Sequence, residues 1–148
     1  MNNILIVHTS WYSEYISTMI QVALEALELA GYSADLAKAP GSIELAALAK
    51  HKLTINPEMY VGVLFLGIVI RGGTSHYELV TNETFTSIGS LSMSFPSISF
   101  INNVICVESK EQLKERIMVN TKNNSNALLE LINDCLLYTS PSPRDGRE

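Results

Sequence analysis

The chain has 148 residues, 47% of them apolar and 17% charged. That length and balance support one packed core, burying roughly 70% of the unfolded surface, with no second domain. A formal net charge of -5 excludes a general nucleic-acid or anionic-membrane binder, because no basic stripe is available to neutralise phosphates; a single phosphate still needs only backbone donors and one or two local cations.

In chain order, Met-Asn-Asn leads straight into residues 4–7, Ile-Leu-Ile-Val, without the basic and long apolar regions of a secretory leader. No run approaches the ~18 apolar residues of a membrane span, so the chain is expected in the cytoplasm. The unbroken apolar run is that of a strand covered on both faces. Ile16, Met19, Ile20, Ala23, Leu24, Leu27 and Ala30 recur at helical spacing and predict a helix over 12–30 that stops at Gly31. A second strand is expected over 33–38. Pro40 and Gly41 break it, and Ser42 or Gly41 caps a helix that starts near Ile43 and ends before Asn56-Pro57.

Residues 61–66 form another buried strand by length and β-branched content, leading into a glycine-containing loop. Leu79, Val80, Phe85, Ile88 and Leu91 mark a third helix over 77–93, and a fourth strand falls within 98–107. Ser109 and Gln112 have capping-box spacing, and two helical stretches, 110–119 and 125–137, complete the ordered part. Cys106 and Cys135 have no CxxC spacing and read as buried reduced thiols. Residues 139–148 carry two prolines, one glycine and no apolar periodicity; they read as a tail outside a 1–138 domain, of the kind left by translated sequencing adapters.

Strands alternating with helices imply right-handed crossovers and a parallel sheet between helix layers, with ligands at the carboxyl ends of the strands. Three loops there hold chemistry-bearing residues. Trp11 serves either packing or stacking on a flat heterocycle. Glu44 is either a carboxylate favoured by a helix dipole or an acceptor for sugar hydroxyls. Gly72-Gly73-Thr74-Ser75 presents backbone N–H groups before a helix, an anion site with His76 beside it. Taken alone, loops of this composition are common and a lone His is usually structural.

Together these segments carry a resemblance. Trp11, Pro40-Gly41-Ser42-Ile43-Glu44 and Val69-Ile70-Arg71-Gly72-Gly73-Thr74-Ser75-His76 stand in the order and at the spacing of the lumazine synthase family, over about residues 4–137. Asn82-Glu83, Glu115-Arg116 and Lys122-Asn123 extend the likeness. The resemblance implies a flavodoxin-like three-layer α/β/α sandwich with a four-stranded parallel sheet. It also implies active sites shared between neighbours of a homopentamer or decamer, and a condensation of a ribitylamino-pyrimidine with a four-carbon keto-phosphate in riboflavin biosynthesis. Neither metal nor organic cofactor is implied.

By position, Trp11 would stack on the pyrimidine, and Ser42, Ile43 and Glu44 would hold the pyrimidine and its ribityl chain. Val69, Ile70 and Asn102 would complete the substrate pocket. Gly73 and Thr74 would bind the phosphate, Arg116 would reach it from an adjoining subunit, and His76 would move protons. Imidazole titrates near neutrality and both gives and takes them.

Several positions depart from the family pattern. Trp11 replaces the usual Phe, Asn102 stands where some relatives have Phe, and Asn124 replaces a lysine that supports phosphate binding. Residues 118–125, Met-Val-Asn-Thr-Lys-Asn-Asn-Ser, replace a glycine-rich segment associated with icosahedral shells. These departures, with a short amino terminus lacking an extra strand, favour pentamers or stacked pairs of pentamers over a capsid. They also leave open a catalytically degenerate flavin- or lumazine-binding module. A flavodoxin-type electron carrier is disfavoured, since Thr9-Ser10-Trp11-Tyr12 is a poor phosphate loop.

Overall fold

The computed structural model describes residues 2–72 and 76–139. Four strands, β1 (Asn3–His8), β2 (Ser33–Lys38), β3 (Gly62–Ile70) and β4 (Ser99–Val107), alternate with four helices: α1 (Ser13–Leu29), α2 (Leu45–Ile55), α3 (His76–Ser94) and α4 (Lys110–Thr139). The strands form one all-parallel sheet in the order β2-β1-β3-β4, the flavodoxin-like arrangement expected.

Alternation along the strands sends neighbouring side chains to opposite faces, and each face has its own helices. Ile4, Ile6, Leu64 and Leu66 pack with Met19 and Leu27 of α1 and with Leu113, Leu128 and Ile132 of α4. Leu5, Val7, Val63 and Phe65 pack with Leu45, Ala49 and Leu53 of α2 and with Ile88 and Leu91 of α3. Both faces are covered, which is why β1 and most of β3 are continuous apolar runs.

Three elements differ from expectation. β3 extends four residues past Leu66, because its pairing with β4 continues to Ile70 opposite Val107; Gly67 to Ile70 are strand, not loop. A 3-10 turn, Ser42–Glu44, precedes α2, so the helix proper begins at Leu45. The two stretches expected in the last third are one 30-residue helix, α4, which also takes in Thr139. No Gly or Pro interrupts 118–125, and Thr121, Asn124 and Ser125 are satisfied inward. Asn103 Nδ2 of β4 donates to Thr121 Oγ1 (2.9 Å), Asn124 Nδ2 donates to Asn103 Oδ1 (2.6 Å) and Ser125 Oγ donates to the Thr121 carbonyl (2.7 Å). Residues 140–148, nearly all of the expected tail, lie outside the described residues.

Candidate active site

The helices after β1 and β3 leave to opposite faces of the sheet, so their loops part at the carboxyl ends and open a crevice there. It holds a cleft of about 420 Å³. Trp11 and Tyr12 come from the turn after β1, Gly41 to Glu44 from the turn before α2, Ile68 to Ile70 from the end of β3, and His76 and Val80 from α3. Trp11, Ser42, Ile43, Glu44, Val69, Ile70 and His76, separated in sequence, thus share one cavity.

Local geometry explains how each wall is presented. The indole of Trp11 is 66% exposed, which removes the core-packing alternative. Tyr12 has φ 59° and ψ 53°, a left-handed conformation costing a side chain other than glycine about 1–2 kcal/mol. Its carbonyl accepts from the N–H groups of Tyr15 (2.9 Å) and Ile16 (3.1 Å), so the strained residue also starts α1. Across the cleft, a Cβ at Gly41 would sit 3.0 Å from Glu44 Oε1; the carboxylate lies back over that glycine. A Cβ at Gly67 would meet Ser42 Oγ and Val104 Cγ2 at 3.4 Å, so the absent side chain lets the Ser42 turn approach the sheet.

His76 is exposed at the first position of α3. Gly73 and Thr74, the expected phosphate turn, lie outside the described residues. Two further expected residues do not line the cleft. Asn102 Oδ1 accepts from the Val104 N–H at 2.8 Å, keeping the side chain along its own strand, and Arg116 is exposed on α4. Asn124 is turned toward Asn103.

Sequence reasoning missed Tyr12, whose backbone conformation has no signature in a tyrosine, and Arg71, which reads as one letter of a motif. Arg71 stands between the sheet and the turn. Its N–H donates to the Val107 carbonyl (2.9 Å), Nε donates to Glu108 Oε2 (2.9 Å), Nη1 pairs with Glu78, and Cζ lies 4.3 Å from the centre of the Tyr77 ring. The hydrogen bond from Arg71 holds the Glu78 carboxyl below the usual range, and burial, above all, raises the Tyr77 phenol. Burial also pushes the Cys106 thiol up to about 11, so that sulfur is a poor nucleophile at neutral pH. Among the described residues no three His, Cys, Asp or Glu side chains cluster as metal ligands, and no helix is long and apolar enough to cross a membrane.

The family model described as 6,7-dimethyl-8-ribityllumazine synthase matches residues 2–135. A Rhizobium meliloti protein named 6,7-dimethyl-8-ribityllumazine synthase 1 is 34% identical over 113 residues, covering 74% of this chain and 73% of its own. The Zymomonas mobilis and Leuconostoc mesenteroides synthases are 30% and 31% identical, over 83% and 88% of this chain and 86% of each of theirs. A solved flavone reductase superposes with a TM-score of 0.42 at 12% identity, over 87% of this chain and 64% of that one, a likeness too slight to bear on function. With the match running from the first strand almost to the end of α4, this chain belongs to the 6,7-dimethyl-8-ribityllumazine synthase family.

Proposed function

We propose that the cleft condenses 5-amino-6-(ribitylamino)uracil with 3,4-dihydroxy-2-butanone 4-phosphate to 6,7-dimethyl-8-ribityllumazine, releasing phosphate and water in riboflavin biosynthesis. The observation that carries this is the convergence of Trp11, Glu44 and His76 on one cavity. An indole face suits a flat pyrimidine, a carboxylate suits ribityl hydroxyls, and an imidazole at a helix start suits a reaction with several proton transfers.

The pyrimidine amine attacks the ketone and loses water to give an imine; a proton then leaves carbon as the phosphate departs. After tautomerisation, the ribitylamino nitrogen closes on the remaining carbonyl and a second water leaves. His76 moves protons for these steps. Holding the two substrates together supplies most of the remaining acceleration. Ser42 and Ile43 hold the pyrimidine, and Val69 and Ile70 form the floor; Gly73 and Thr74 bind the phosphate.

Arg116 does not line the cleft of its own subunit, so its part in phosphate binding requires an adjoining copy. A pentamer or decamer supplies one, and α3 offers apolar surface for such assembly at Leu79, Phe85 and Met93. Cys106 and Cys135 form no disulfide, in keeping with a cytoplasmic enzyme.

Mixing purified protein with both substrates and following lumazine absorbance tests the reading. His76→Ala is expected to slow turnover roughly 10²-fold or less. Arg116→Ala is expected to raise the keto-phosphate KM roughly tenfold through loss of a charge-assisted contact; an unchanged KM removes Arg116 from the phosphate site. Ligand binding without product points instead to a degenerate binding module.

A further inference from the structure

We propose that Arg71 is a positioning residue: its side chain bridges the two ends of the segment between β3 and α3 and thereby fixes where His76 stands. The inference rests on the reading of His76 as the proton-moving group of this cleft. Residues 71–75 separate the end of β3 from the first position of α3. Sheet pairing ends at Ile70 and α3 begins at His76.

The guanidinium has the reach and shape to bridge them. The backbone of Arg71 is pinned to β4 through the Val107 carbonyl. One edge of the side chain pairs with Glu78 in the first turn of α3, Nε donates to Glu108 just past β4, and the face covers the ring of Tyr77, the neighbour of His76. Glu108 is itself held, since its N–H donates to Gln112 Oε1 at 2.7 Å. A planar fork serves two carboxylates and a ring face at once, which a lysine point charge cannot.

The same geometry argues against the obvious alternative, a phosphate ligand. A cation beside an anion-binding turn is a natural one, but this guanidinium already faces two carboxylates, which repel a phosphate dianion. Nor is it a major contributor to stability, because the three charged side chains are 39–57% exposed and such pairs contribute little to global folding. Its effect is local, on the helix start it touches.

The test compares Arg71→Met, Arg71→Lys and Glu78→Gln/Glu108→Gln with the full-length wild type. Arg71→Met and the paired glutamine variant are both expected to lower kcat roughly 10- to 100-fold, as slight misplacement of a reacting group does, with the keto-phosphate KM changed less than threefold. Arg71→Lys is expected to resemble Arg71→Met; full recovery in the lysine variant overturns the fork argument. A raised KM at unchanged kcat in Arg71→Met, with the glutamine variant silent, makes Arg71 a phosphate ligand and overturns the proposal. The His76 ring NMR signal, assigned by its loss in His76→Gln, is read in parallel and is expected to move or broaden in Arg71→Met and in the glutamine variant. If wild type makes no product, the synthase reading fails alone, and the bridge is judged on this signal; a ring signal unmoved in Glu78→Gln/Glu108→Gln overturns it.

Discussion

Trp11 is the single tryptophan of the chain, so emission excited beyond the tyrosine absorption band reports one wall of the cleft. With the indole 66% exposed, binding of the ribitylamino-pyrimidine is expected to quench it along a saturable curve. Emission that stays constant while calorimetry registers binding would remove the stacking role. Two other residues are expected to weaken the fold at alkaline pH. Cys106 is raised from 9.0 to about 11 by burial. Tyr60 is raised from 10.0 to about 12 by burial first and then by its bond to Asp35, whose Oδ2 accepts from the hydroxyl at 2.7 Å. Between each pair of values the native chain holds a proton that the unfolded chain has released, so stability is intact below the lower value and falls as pH rises through the interval. The melting temperature is expected to drop from about pH 9 upward, with Cys106→Ala flattening the part between about 9 and 11; an equally steep decline in that variant contradicts the assignment.

Among the elements, α1 and the buried strands were legible because their apolar spacing has one interpretation; Met19 and Leu27 face the core as their periodicity required. The end of β3 was not, because Gly67 reads as a loop residue until β4 is present to pair with it. Nor was the continuity of α4. Asn120 to Ser125 is polar enough to pass for a connection, and only the Asn103 side chain across the interface shows why Thr121 and Asn124 belong to a helix. Asn103 is 2% exposed, so Asn124→Ala leaves a buried carbonyl oxygen without that partner and is expected to cost about 1–3 kcal/mol by chemical denaturation. Asn124→Lys is expected to lower stability as well without improving phosphate binding; a lower keto-phosphate KM in that variant would show the helix re-forming around the lysine.

For the whole molecule, the segments that converge on the cleft could be named from sequence because a parallel sheet gathers the loops after its strands at one edge. Their mutual placement depends on β1 and β3 being neighbours, a long-range pairing that no local pattern encodes. The partnership of Arg71 with Glu108, 37 residues away, was hidden for the same reason. Assembly is the remaining scale. Native mass spectrometry is expected to give multiples of five subunits, and a monomer that still turned over would show that no residue is borrowed from a neighbour.

The length of α4 has a practical outcome. Thirty residues span roughly 45 Å. Its late turns run back along the sheet, Ile132 reaching Gly62 and Cys135 reaching Ser99, the first residues of β3 and β4. The last turns of α4 therefore lie at the pole opposite the cleft. An affinity handle, a fluorescent protein or a displayed antigen can be attached there with the entrance left clear.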